Sequence, residues 1–217
     1  MAHCKPILYS YFRSSCSWRV RIALAYKGID YECKTVDLLA GQQYSESYLK
    51  INPTGEVPVY VDNGKTITNS TAILEYLEET VPNAPLLPTD PVKRAQVRGL
   101  VDNIVAGIQP LQNMKVLFFL GEKAASWGGE KSVAFGKHWV ESGLKSLEKK
   151  LQGTHGKYCV GDNVTFADLC LIPQVYNAED RFDINLSNFP LISEISSRLK
   201  KLDAFEVSHP DNQPDSP

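Results

Sequence analysis

The sequence holds no Cys-x-x-Cys pair, and its five cysteines (Cys4, Cys16, Cys33, Cys159 and Cys170) are an odd number at irregular spacing. A zinc site or a dithiol redox pair is therefore not expected, and a reduced intracellular protein without a metal is. No uninterrupted apolar stretch approaches the ~18–20 residues of a membrane-spanning helix. Met1 to Lys5 runs straight into a strand pattern and lacks a secretory apolar region. Neither sign of charge prevails, with 23 Lys and Arg against 25 Asp and Glu, which argues against nucleic acid or an anionic membrane as a partner. There is no internal repeat and no low-complexity block. A soluble, cytoplasmic protein is expected.

What is present suits a globular chain: 43% of its 217 residues are hydrophobic and 22% charged, enough for one large or two small domains. Ile7 to Ser10 reads as a buried strand. Ser17 to Lys27 carries helical apolar spacing and ends at Gly28, a good residue for a helix stop. Tyr31 to Val36 reads as a second strand. Residues 41–51 are polar and loop-like, with room for one short helix. Val57 to Val61 and Thr66 to Thr68 flank Asn63-Gly64, the strongest short hairpin signal. A helix over Thr71 to Thr80 buries Ile73, Leu74 and Leu77. The order β-α-β then ββ-α predicts an α/β layout with a mixed sheet.

Four prolines between Pro82 and Pro91 mark a linker at 83–91. It separates a first domain, 1–82, from an all-helical second domain, 92–217. Helices are predicted over Val92 to Leu120, Ser132 to Leu151, Thr165 to Asp180 and Pro190 to Leu202, the first kinked or broken at Pro110. The tail from His209 to Pro217, polar and rich in proline, reads as disordered.

The stretch Ser14-Ser15-Cys16-Ser17-Trp18-Arg19-Val20-Arg21 stands between the first strand and the first helix. A helix start offers unpaired N–H groups and partial positive charge, so it stabilises an anion. Hydroxyl and thiol groups there can lower the pKa of a bound thiol. On composition alone, Ser14 or Ser15 is simply an N-cap. Pro58 alone reads as an ordinary trans proline opening an edge strand. Asn69-Ser70 opens the next helix and reads as capping, and Gln42 and Gln43 are loop residues. Thr165 with Asp168 forms a capping-box variant flanked by Val164 and Leu169, a structural feature.

Together these segments resemble zeta-class glutathione transferases over about residues 5 to 214, most densely at 5–31 and 158–176. The resemblance implies a thioredoxin-like first domain with a mixed four-stranded sheet, an all-helical second domain and glutathione as cofactor. Ser14, Ser15 and Cys16 then carry catalysis, with Ser15 the first choice for stabilising the thiolate, and Ser17, Trp18 and Arg19 complete that segment. Pro58, in the cis form, lets Val57 exchange main-chain hydrogen bonds with the cysteinyl unit. Asn69 and Ser70 take the γ-glutamyl end, although Asn69 is one methylene shorter than the family's glutamine. Gln43 contacts the peptide. Gln109, Asn113, Met114 and Lys115 border the cleft from the helical domain. Arg13, Arg19 and Arg181 are candidates for substrate carboxylates, with Asp180 an insertion-like departure just before Arg181.

The activity implied is isomerisation of maleylacetoacetate to fumarylacetoacetate in phenylalanine and tyrosine catabolism, with glutathione recovered unchanged. A side activity on α-halo acids and a homodimer are also implied. Two alternatives use the same fold: a thiol transferase or dehydroascorbate reductase acting through Cys16, and a non-enzymatic binding module.

Overall fold

Four short strands, β1 (Ile7–Ser10), β2 (Glu32–Thr35), β3 (Val59–Asp62) and β4 (Lys65–Thr68), form one sheet in the order β2-β1-β3-β4. The computed structural model describes residues 5–123 and 128–217, so Cys4 and the expected lead-in from Met1 lie outside the described residues. β1 runs parallel to β2 and antiparallel to β3, which pairs antiparallel with β4. A parallel neighbour requires a crossover, and α1 (Ser15–Tyr26) supplies it. Asn63 and Gly64 turn β3 into β4 with φ of 48° and 74°, the doubly positive turn that matches strand twist.

α1 stops where Gly28 takes a φ of 66°. Gly28 donates to the Ala25 carbonyl and Ile29 to the Leu24 carbonyl at 3.1 and 2.8 Å, which satisfies two of the helix's last carbonyls. A single turn, α2 (Glu46–Leu49), and then α3 (Ser70–Thr80) follow. Val20, Ile22, Ala23 and Leu24 on α1 and Ile73, Leu74 and Leu77 on α3 are buried, and each large aliphatic side chain contributes about 1.5–3 kcal/mol through that burial. Lys27, at the end of α1, pairs with Glu78 at 2.9 Å and donates to the carbonyls of Val81, Asn83 and Ala84 beyond α3. The ends of the two helices are thereby tied together.

The chain divides into two compact units, residues 1–85 with 201–217 and residues 86–200. The second unit contains α4 (Pro91–Asp102), a wide π turn over Asn103–Ile108, α5 (Gln109–Gln112), α6 (Met114–Lys123), α7 (Gly128–Leu151), α8 (Phe166–Phe182) and α9 (Pro190–Leu199). The break expected at Pro110 falls instead at Asn113. Pro110 stands in the first turn of α5, where a missing N–H costs nothing, directly after the π turn. Asn113 has an extended ψ of 137°, and its Oδ1 accepts from the Lys115 N–H at 3.0 Å, which starts α6.

The last segment returns to the first unit through α10 (Asp203–Val207) and a 3-10 turn at Pro210–Asn212. The tail expected to be disordered is tied down. Phe12 N–H donates to Asp215 at 2.9 Å, Trp18 Nε1 to Ser208 Oγ at 3.1 Å, and Arg21 Nε to the Ser208 carbonyl at 3.2 Å. Donors of the first unit find acceptors there that composition alone does not reveal.

Candidate active site

Ser14 is the N-cap of α1: its backbone is extended, and its Oγ accepts from the Ser17 N–H at 3.2 Å. Ser15 is thus the first helical residue, with a half-buried hydroxyl that has no hydrogen-bond partner among the described residues. No acidic side chain occupies the first turn, so the partial positive charge of the helix start is left uncompensated. Cys16 follows, half-buried, its Sγ 3.7 Å from Arg19 Nη1. Ser17 is fully buried, and its Oγ is enclosed without a partner.

Two residues of this segment are buried within the first unit. Trp18 is 3% exposed; its indole N–H bonds Ser208 and its ring packs edge-on against His209. Its side chain is engaged within the first unit. Arg19, expected at a substrate wall, is 1% exposed, with Nη1 on Ser70 Oγ at 3.2 Å. An apolar helix face carries its charge inward. Arg13 is exposed.

Ser70 is the first residue of α3 and is buried. Asn69 precedes it with φ 68° and ψ 123°, exposed and making no side-chain cap. This start, too, has no acidic residue in its first turn. Arg19 links the two open helix starts.

The Val57–Pro58 bond is cis. The carbonyl just before it, on Glu56, accepts from both Tyr48 Oη and Asn52 Nδ2 at 2.8 Å. Both donors are buried, and burial pushes the Tyr48 phenol up, which keeps it a neutral donor. Neither main-chain group of Val57 has a partner among the described residues, so one N–H and one C=O remain to bond an extended peptide. Tyr48 and Asn52 were not expected as positioning residues. The Asn52-Pro53-Thr54-Gly55 turn is the signal in the sequence that could have pointed to Asn52. Gln43 is buried, and its amide donates to the Leu38 carbonyl at 3.2 Å. Its Oε1 is enclosed without a partner among the described residues; the amide donor ties the side chain to its own loop.

Within the second unit, Gln109 opens α5, Asn113 caps the start of α6, and Met114 and Lys115 form the first turn of α6. Arg181, near the end of α8, is half-buried and donates Nη1 to the Gln112 carbonyl at 3.0 Å. Gln112 and Gln174 exchange amide hydrogen bonds at 3.2 Å. That buried pair holds α5 against α8 and fixes the carbonyl to which Arg181 is tied.

Residues 5–79 match the family model described as glutathione S-transferase, N-terminal domain, and residues 115–205 the corresponding C-terminal domain. The maleylacetoacetate isomerase of Rattus norvegicus is 55% identical, the match covering 98% of this chain and 96% of the relative. A glutathione S-transferase of the zeta class from Euphorbia esula is 46% identical, covering 96% of this chain and 92% of the relative. The chain belongs to the zeta-class glutathione transferases. A solved maleylacetoacetate isomerase from Methylobacterium extorquens AM1, with malonate and glutathione bound, superposes with a TM-score of 0.93 at 39% identity, covering 97% of this chain and 99% of that one. The transferase fold, a mixed four-stranded sheet and a helical unit, is thus the fold of this chain. Among the described residues no helix is long and apolar enough to cross a membrane, and no cluster of His, Cys, Asp and Glu is arranged to hold a metal.

Proposed function

We propose that this chain is a glutathione-dependent cis–trans isomerase that converts maleylacetoacetate to fumarylacetoacetate in phenylalanine and tyrosine catabolism. The observation that carries this reading is the open start of α1, where Ser15 presents a hydroxyl with no partner among the described residues in a first turn without acidic groups. The first unit offers a fit to the sulfur, the cysteinyl unit and the γ-glutamyl end of glutathione. The α1 start and Ser15 suit the sulfur, the Val57 main chain suits the cysteinyl unit, and Ser70 with the first amides of α3 suits the γ-glutamyl carboxylate.

Glutathione, when bound, supplies a thiol whose thiolate form adds reversibly to an activated double bond and is recovered unchanged. Ser15 donates a hydrogen bond at the sulfur position, and the α1 amides hold negative charge there. Ser14, committed to capping, keeps that turn in register. Cys16 adds a second weak donor. Val57 sets the orientation of the peptide through its main chain, and Tyr48 and Asn52 hold the carbonyl that precedes it. Arg181 and Arg13 are the guanidinium groups for carboxylates of the substrate. Gln109, Asn113, Met114 and Lys115 contribute from the helical unit, the substrate-binding domain in this reading. Related dicarboxylic acids and α-halo acids are further substrates, and the working form is a cytoplasmic homodimer.

A second reading rests on the half-exposed Cys16 thiol with a guanidinium beside it, the setting of a thiol transferase or dehydroascorbate reductase. Turnover of maleylacetoacetate with and without glutathione, with free thiol counted throughout, separates the two. Glutathione-dependent formation of fumarylacetoacetate without net thiol loss is expected. Stoichiometric thiol loss, or no turnover despite glutathione binding, would overturn the isomerase reading.

A further inference from the structure

α1 buries two arginines, and the contrast between them is informative. Every nitrogen of Arg21 has an acceptor: Nε donates to the Ser208 carbonyl, Nη1 to Ser10 Oγ and the Tyr11 carbonyl, and Nη2 to the Phe12 carbonyl, at 2.9–3.2 Å. Burial lowers its pKa to about 10, and its bonds knit β1, the following loop and the tail together. Arg19 is equally buried at 1% exposure. Among the described residues only its Nη1 finds partners, Ser70 Oγ and Cys16 Sγ, while Nε and Nη2 are enclosed with none. No carboxylate pairs with it among the described residues.

A buried cation without a counter-ion and with idle donors destabilises the fold, and folding alone gives no reason to keep it. Its one engaged nitrogen touches the first turns of α1 and α3, neither of which has an acidic residue there. We propose that Arg19 is a positioning residue for glutathione that acts through Ser70, with the γ-glutamyl carboxylate of the ligand as its missing counter-ion; this rests on the assignment of that carboxylate to Ser70. By donating to a lone pair of Ser70 Oγ, the guanidinium turns the hydroxyl proton outward toward an anion. It also strengthens that hydroxyl as a donor, because hydrogen bonds in a chain polarise one another. The contact with Cys16 Sγ places the same charge beside the α1 start, so one side chain lies between the positions assigned to the γ-glutamyl carboxylate and to the sulfur.

The test measures affinity rather than turnover. Glutathione and the analogue lacking the γ-glutamyl α-carboxyl group are each titrated by calorimetry into wild type, Arg19→Lys, Ser70→Ala and the double variant. Wild type should prefer glutathione; if it binds both ligands alike, the assignment of the carboxylate to Ser70 is wrong. Given that preference, Arg19→Lys should bind glutathione about tenfold more weakly and the analogue as wild type does. In the Ser70→Ala background it should change neither affinity further. Equal weakening of both ligands would mark a purely structural arginine, and full retention of the preference would mean that Arg19 plays no part; either result overturns the inference. Should the variants fail to fold, the Arg19 Nε–H resonance of the wild-type protein decides. It should shift with glutathione and not with the analogue, and an equal response to both overturns the inference.

Discussion

The starts of α8 and α1 have the same backbone dipole, and the chain treats them in opposite ways. At α8 the Asp168 carboxylate, fully buried, accepts from the Thr165 N–H at 2.8 Å, from Thr165 Oγ1 at 2.9 Å and from the Cys159 N–H at 2.9 Å. Burial raises its pKa, and these donors act against that rise. The helix end is closed by the protein's own anion. At α1 the equivalent position in the first turn is Ser17, a neutral residue with an idle hydroxyl, and the charge nearby is the cation of Arg19. α3 likewise has no acid in its first turn. A helix start closed by its own carboxylate contributes stability, whereas one left open attracts an anion from outside.

The sharpest way to break this comparison is to remove the donor from the open end. Ser15→Ala should reduce glutathione-dependent isomerisation by roughly a hundredfold, in the range seen when one donor to a developing anion is lost; glutathione affinity should change little, as steady-state kinetics would show. Next comes the closed end. Asp168→Ala strands two buried N–H groups and should lower stability by about 2–3 kcal/mol in urea unfolding, with turnover per folded molecule unchanged.

Transplanting the closure is the direct exchange between the two sites. Ser17→Asp gives α1 the acidic residue that α8 has, and a like charge there should raise the pKa of bound glutathione thiol by about one unit. The smallest effect is expected from Cys16→Ser, which keeps a donor at the position and should reduce isomerisation by no more than about fivefold. Complete loss in that variant would favour the thiol transferase reading instead.

The layout of the first unit was legible because its punctuation is local. Gly28, Asn63-Gly64 and Ser14 each act within a few residues, and the apolar spacing of β1, α1 and α3 agrees with them. The closed start of α8 was legible for the same reason, since Thr165 and Asp168 are three residues apart. Long-range bonds were not. The tail from His209 has a disordered composition, yet its neighbour Ser208 and its own Asp215 meet Trp18, Arg21 and Phe12 far away in sequence. Arg19 reads in the sequence as a candidate for a substrate carboxylate, and only the packing of α1 shows it turned inward toward Ser70. The grip of Tyr48 and Asn52 on the Glu56 carbonyl also needs the folded loop to be seen. Pro110 misled because a π turn and a first-turn position absorb it, and Asn113 ends the helix instead.

The most direct measurement is the ultraviolet titration of the thiol of glutathione bound to the wild-type protein, followed through thiolate absorbance. An open α1 start predicts a bound thiol that ionises at least one unit below free glutathione, a shift largely lost in Ser15→Ala. A bound thiol that titrates as it does in free solution, with the site saturated, would contradict the account.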